Sequence, residues 1–126
     1  MKIAYFEPGG DPIVARIVYK DGLIAAGYGL KLSEKDSNKA VFYYDGDNLN
    51  PENDIYDLPE PVDENDGRIM RLRNEFYGLA PKSSKRYEIS LDIYQGVTLI
   101  SSNIDVGTIT GKAQSSLLFT KLMKKV

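Results

Sequence analysis

Apolar and polar residues alternate one by one along several segments of this chain, and this pattern constrains its fold more than any other feature. The clearest example is the segment 87–94, which reads YEISLDIY. Successive side chains of a strand point to opposite faces of its sheet, so this segment would have one apolar face and one wet face. We therefore predict that it is a strand with one face on a core.

Most of the remaining chain gives the same indication. Further strands are predicted at residues 2–6, 13–19, 23–32, 40–44, 97–102 and 107–110. A strand is also favoured over residues 70–77, although Ile69, Leu72 and Phe76 fit the spacing of a helix over residues 68–76 as well. Many short strands without intervening helices are typical of antiparallel sheets. Because 126 residues suffice for one core, we predict a mainly β fold, a single-domain antiparallel β-sandwich or barrel-like fold over residues 1–126.

Two hairpins are predicted from turn residues and registers. Asp21 and Gly22 favour a two-residue turn that would pair residues 13–19 with 24–30. The second hairpin would pair 70–77 with 87–94 around the loop 78–86, and Arg73 would then oppose Asp92. In both registers the apolar side chains share one face.

The C-terminal segment fits two structures. Leu118, Phe119, Leu122, Met123 and Val126 follow a helical stripe with lysines beside it, whereas residues 114–122 also alternate like a last strand. The helix is slightly favoured, so the predicted fold has room for a C-terminal helix.

Residues 45–66 form an acidic, proline-rich insert. They contain nine acidic residues, no lysine or arginine, and three of the six prolines. The formal charge of −2 therefore hides a body with 16 basic and 9 acidic residues, a balance of +7. The insert is interpreted as a solvated connector, as a loop folded over the basic body, or as a site for a hard cation such as calcium. The candidate metal ligands are Asp45, Asp47, Asp54 and Asp57.

The residue types present argue against catalysis. Cysteine and histidine are absent, which removes thiolate nucleophiles, imidazole bases and zinc sites that depend on them. The glycine motifs at 27–32 and 107–113 complete neither a dinucleotide fingerprint nor a phosphate loop. We therefore expect no enzyme and no cofactor, and a small enzyme that uses carboxylates is an alternative.

Basic residues alternate with aromatic ones in the second half of the chain. The candidate binding residues for a partner or for self-association are Arg71, Arg73, Tyr77, Lys85, Arg86 and Tyr94. Nucleic acid is not favoured, because the acidic insert would compete with phosphates. We predict a non-catalytic binding or assembly module that uses sheet faces or edges and contacts a protein partner or itself. The alternative binding function is a calcium- or carbohydrate-binding β-sandwich that uses the acidic loop.

The N-terminal residues predict a cytoplasmic location. The apolar run after Lys2 ends at Phe6, which is too short for a signal peptide, although a trimmed leader is an alternative. The sequence contains no stretch of about 18 apolar residues, so no membrane-spanning helix is expected.

Overall fold

The computed structural model of the protein describes residues 1–20, 24–49, 54–78 and 85–126. These ranges contain nine strands and a short 3₁₀-helix at Val62–Asn65. The strands are β1 (Lys2–Phe6), β2 (Ile13–Lys20), β3 (Ile24–Ser33), β4 (Ala40–Asp47), β5 (Ile55–Asp57), β6 (Ile69–Gly78), β7 (Arg86–Gln95), β8 (Thr98–Thr108) and β9 (Gln114–Lys124). The prediction of a mainly β fold is confirmed.

The strands form two sheets that pack on one another. The five-stranded sheet has the order β1-β9-β6-β3-β4, and the four-stranded sheet has the order β5-β2-β7-β8. All neighbouring strands are antiparallel except β1 and β9, which are parallel. The protein is therefore a β-sandwich, as the spacing of the strands predicts.

The core lies between the two sheets and follows the alternation in the sequence. On β7, Tyr87, Ile89, Leu91 and Ile93 are buried. The five-stranded sheet contributes large buried side chains from every strand except β4. These are Phe6 on β1, Leu30 and Leu32 on β3, Met70, Leu72 and Phe76 on β6, and Leu122 on β9. Burial of each such side chain stabilises the fold by about 1.5–3 kcal/mol relative to leaving it in water.

The first predicted hairpin is wrong. Strand β2 pairs with β5 and β7 in one sheet, while β3 pairs with β4 and β6 in the other. The turn residues Asp21 and Gly22 lie outside the described residues. The prediction failed because the apolar faces of two consecutive strands can also meet across the core, with each strand in a different sheet. A period-two pattern does not distinguish this arrangement from side-by-side pairing within one sheet.

The second predicted hairpin is wrong for the same reason. Strands β6 and β7 belong to different sheets. Residues 79–84 of the predicted loop lie outside the described residues. Arg73 does not oppose Asp92. Its guanidinium contacts Glu75 at 2.9 Å, whereas Asp92 lies opposite Arg16 of β2.

The C-terminal segment is a strand and not a helix. On β9, Ser116, Leu118, Thr120 and Leu122 are buried, which is a period-two pattern. This strand pairs with β1 on one side and β6 on the other, so its backbone groups complete two ladders. A helix there would leave the facing groups of both neighbouring strands without these partners. The two strands predicted at 97–102 and 107–110 are likewise one continuous strand, β8.

The acidic insert is attached to the body in its described parts. Asp45 and Asp47 belong to β4, and β5 adds a short edge strand to β2. Leu58 and Val62 are buried in the core. Asn65 is also buried, and its amide donates to the carbonyl oxygen of Pro59 at 3.0 Å. Apolar burial and backbone pairing therefore contribute to holding these parts.

Candidate functional site

The outer face of the five-stranded sheet presents a dense set of chemically varied side chains. On β6, Leu72, Asn74 and Phe76 are buried in the core. Because neighbouring side chains of a strand alternate, Arg71, Arg73, Glu75 and Tyr77 lie on the opposite, outward side. Strand β6 is the middle strand of the sheet, so these four side chains occupy the centre of its outer face.

The register extends this face in rows across the sheet. Arg73 pairs with Gly29, which pairs with Asp45, and Glu75 pairs in the same way with Gly27 and then Asp47. A third row joins Arg71, Lys31 and Tyr43. In each row, a side chain of β6 therefore lies on one side of β3 and a side chain of β4 lies on the other.

The two glycines of β3 leave a shallow groove between these side chains. The groove has a volume of about 260 Å³ and is lined by Gly27, Tyr28, Gly29, Tyr43, Asp45, Arg73 and Glu75. The phenol of Tyr43 lies over Gly29, where a Cβ atom would collide with its oxygen. Glycine is thus required at this position by the close approach of Tyr43, and β3 contributes only backbone to the floor of the groove.

The charged groups of the groove are hydrogen-bonded to neighbours but reach solvent. The hydrogen bond from the Tyr43 hydroxyl to Asp45 raises the pKa of that tyrosine, while Arg71 and Arg73 act in the opposite direction. Arg73 and Glu75 form an ion pair with both side chains largely exposed, and such pairs contribute little to stability. The exposed guanidinium of Arg73 and the exposed carboxylates of Asp45 and Glu75 therefore keep donors and acceptors for a ligand or partner. The Nε atom of Arg71, by contrast, is buried and has no hydrogen-bond partner among the described residues.

An apolar strip runs beside the groove on β1 and β9. Ile3, Tyr5, Leu117 and Phe119 are exposed there although they are large apolar or aromatic side chains. A second hollow of about 570 Å³ lies between this strip and the arginines, lined by Asn38, Arg71, Arg73, Ser115, Ser116, Leu117 and Phe119. The outer face thus combines apolar area with guanidinium groups.

Charge is divided on the two sides of Gly29. Lys31 and Arg71 lie in the row toward the end of β3, whereas Glu75 and Asp47 lie in the row toward its start. In the row of Gly29, Arg73 lies on the β6 side and Asp45 on the β4 side. We call Lys31, Arg71 and Arg73 the basic triad, and Asp45, Asp47 and Glu75 the acidic triad. The outer face therefore has a positively charged part and a negatively charged part next to one another.

The predicted binding residues divide between the two outer faces. Arg71, Arg73 and Tyr77 lie together on the face just described. Arg86 and Tyr94 lie on the outward side of β7 in the four-stranded sheet, and Lys85 immediately precedes that strand. The six residues do not form one surface, because β6 and β7 are not a hairpin.

The four candidate metal ligands are also dispersed. Asp45 and Asp47 lie on the outer face of the five-stranded sheet, and Asp57 lies beside Val14 on the outer side of the four-stranded sheet. Asp54 is buried and accepts a hydrogen bond from the Tyr28 hydroxyl at 2.6 Å. Over the ranges that the structure describes, no group of three or more acidic side chains is gathered in a way that could hold a metal ion.

A buried polar cluster was not predicted from the sequence. The Tyr28 hydroxyl contacts Asp54 and the Tyr56 hydroxyl, at 2.6 and 2.5 Å, and the Tyr19 hydroxyl donates to Asn74 at 2.5 Å. Burial is the main cause that raises the pKa values of Tyr19 and Tyr28 well above their usual range. The only sequence signal for this cluster was Asn74, which interrupts the apolar set of β6.

The residues that complete the groove were missed as binding residues. Lys31 and Tyr43 join Arg71 and Arg73 only through the pairing of β3 with β4 and β6, whereas Glu75 alternates with the two arginines along β6 itself. Two small-residue positions, Gly27 and Gly29, gave the available signal that another group approaches β3 closely. No protein-family model matches this chain, and no curated protein or solved structure gives a match either.

Proposed function

We propose that this protein is a non-catalytic binding or assembly module whose contact surface is the outer face of the five-stranded sheet. The observation that carries the proposal is the combination of an exposed apolar strip with two arginines on one continuous sheet surface. Aromatic residues and arginine are enriched at protein interfaces, and they supply much of the binding energy there. The partner is a protein surface.

The size of the face supports this function. The five strands contain between 5 and 11 residues each. With about 3.3 Å per residue and about 4.8 Å between strands, they cover about 700 Å² of projected area. That is close to the area of about 800 Å² that one partner contributes to a standard protein interface. A sheet of this size can therefore form a stable contact without further elements.

The openness of the groove supports binding rather than catalysis. Asp45, Asp47 and Glu75 are reached by water, whereas carboxylates that act as acids or bases are normally tuned by burial and by the exclusion of solvent. Within the described ranges, no helix is long and apolar enough to span a bilayer. The cytoplasmic location stays a prediction from the sequence.

Site-specific photo-crosslinking tests the proposed contact face. A photoreactive phenylalanine analogue replaces Phe119 on the five-stranded sheet or Val106 on the four-stranded sheet, which are 36% and 40% exposed. After irradiation of cells that produce the protein, we expect a discrete crosslinked protein from position 119 and none from position 106. The absence of a crosslink at 119, or equal crosslinking at both positions, would contradict the proposal.

A further inference from the structure

We propose that the partner bound by this face is a second copy of the same chain, packed face to face around a two-fold axis that passes over Gly29. This inference rests on the proposed function, because it uses the same outer face. It goes beyond the proposed function by naming the partner that binds to this face. The support is the charge division of the face, the small residues at its centre and its area.

The charge division has the symmetry that a two-fold contact needs. In such a contact the same patch is used twice, so each part of it must complement another part of the same patch. The basic triad and the acidic triad lie on opposite sides of Gly29. The two-fold axis lies between the two sheets and parallel to them, passes over Gly29 and is oblique to the strands. Rotation about it places the basic triad of each copy over the acidic triad of the other.

The register of the sheet specifies the opposed residues. With strands about 4.8 Å apart and residues about 3.3 Å apart along each strand, the rotation carries Arg71 over Asp47 of the second copy. The same rotation carries Arg73 over Glu75 of the second copy. Lys31 then lies between Asp45 and Asp47 of the second copy. The three basic residues of each copy therefore meet carboxylates, and no like charges are directly opposed within these triads.

The small residues beside the centre leave room for a side chain of the second copy. Gly29 lies under the phenol of Tyr43, but Gly27 is open: among the described residues, a Cβ atom there would have only the Gly46 carbonyl oxygen nearby, at 3.8 Å. The rotation brings Phe119 over Ala25 and Gly27 of the second copy, where there is room for an aromatic ring. About 700 Å² of projected area per copy is close to what one partner contributes to a stable interface.

Reversing one triad at a time provides the test. The acidic variant carries Lys31→Glu, Arg71→Glu and Arg73→Glu, and the basic variant carries Asp45→Lys, Asp47→Lys and Glu75→Lys. In sedimentation experiments at low salt we expect the unaltered protein to dimerise and each variant alone to dimerise at least 100-fold more weakly. An equimolar mixture of the two variants is expected to form a heterodimer, because each triad again meets the opposite charge.

A charge-matched control distinguishes loss of the specific contact from a general effect of net charge. Lys2→Glu with Lys85→Glu and Lys112→Glu changes the net charge as much as the acidic variant but lies away from the triads, and it is expected to dimerise normally. If a charge-reversed variant loses its circular dichroism spectrum, the neutral pairs Arg71→Gln with Arg73→Gln and Asp45→Asn with Asp47→Asn replace it, and each is expected to weaken the dimer at least 10-fold.

The outcomes that overturn the inference are distinct from those that overturn the proposed function. A protein that stays monomeric at low salt, or variants that dimerise as well as the unaltered protein, would overturn self-association. A crosslink from position 119 to a protein of another mass would then leave the proposed contact face standing. A crosslinked species of twice 14.1 kDa supports both.

Discussion

Raising the pH above 10 is expected to destabilise this protein steeply, because two tyrosines of the buried polar cluster hold their protons more tightly in the folded chain. Burial raises the pKa values of Tyr19 and Tyr28 well above 10, and the hydrogen bond to Asp54 adds to the effect on Tyr28. Above pH 10 the unfolded chain releases these protons while the folded chain retains them, so stability falls as the pH rises. Below pH 10 both the folded and the unfolded chain keep these protons, so the two tyrosines make their full contribution to stability.

The expected loss is about 1.4 kcal/mol per pH unit for each tyrosine, or about 5 kcal/mol for both at pH 12. That approaches the whole stability of a small domain. Denaturant unfolding between pH 8 and pH 12 measures it. Tyr28→Phe removes one titrating group and is expected to reduce the slope, although it also loses two hydrogen bonds at neutral pH.

The matched control for this experiment is Tyr5→Phe, since Tyr5 lies half exposed on the outer face of β1. This variant removes a tyrosine hydroxyl that lies outside the buried cluster. The account of the buried cluster would be wrong if Tyr28→Phe and Tyr5→Phe gave the same dependence of unfolding free energy on pH.

Truncation of Leu122 is expected to cost about 2–5 kcal/mol of unfolding free energy, the range for removing a buried leucine side chain from a core. Leu122 is fully buried on the inner side of β9, next to Ala4 of β1 in the register. Its backbone also accepts from the amide of Gly67 at 2.7 Å and donates to the carbonyl of Arg68 at 2.8 Å. The alanine variant keeps these backbone bonds, so the loss reports the side chain alone.

Leu117→Ala is the control on the same strand, because Leu117 is 54% exposed on the outer side. Both variants are compared at high salt and low protein concentration, where the proposed dimer is dissociated. It should change stability by less than about 0.5 kcal/mol, as is usual for surface positions. Chemical denaturation of both variants gives the comparison. Equal losses at 117 and 122 would contradict the strand assignment of the C-terminal segment.

The alternation of residues was enough to predict strands but not their neighbours. Along β7 and β6 the apolar positions identify the buried face, because only one set of side chains can enter the core. Which strand lies beside which depends on long-range pairing. The short segment around Asp21 and Gly22 favours a tight hairpin locally, yet β2 and β3 bury their apolar faces by joining opposite sheets. Packing between the two sheets therefore prevailed over the predicted side-by-side pairing of β2 and β3.

The candidate site could likewise be predicted within one strand but not between strands. Arg71, Arg73 and Tyr77 could be placed on one face from their spacing alone, because all three occupy alternate positions of one strand. Asp45, Gly29 and Arg73 form a row only after β4, β3 and β6 are paired. Charge segregation in the sequence was visible as an acidic insert, whereas the acidic triad combines two of its residues with Glu75 from β6.

The most direct test of the central claim, that the five-stranded sheet contacts a second copy through its outer face, uses a nitroxide spin label at one introduced cysteine. The chain has no cysteine of its own, so Leu117→Cys and Ile104→Cys each give one label. These positions lie on the two opposite outer faces and are 54% and 48% exposed. As the protein concentration rises at low salt, we predict that the label at 117 becomes immobilised while the label at 104 stays mobile. A label at 117 that stays mobile at every concentration, or immobilisation only at 104, would contradict the claim.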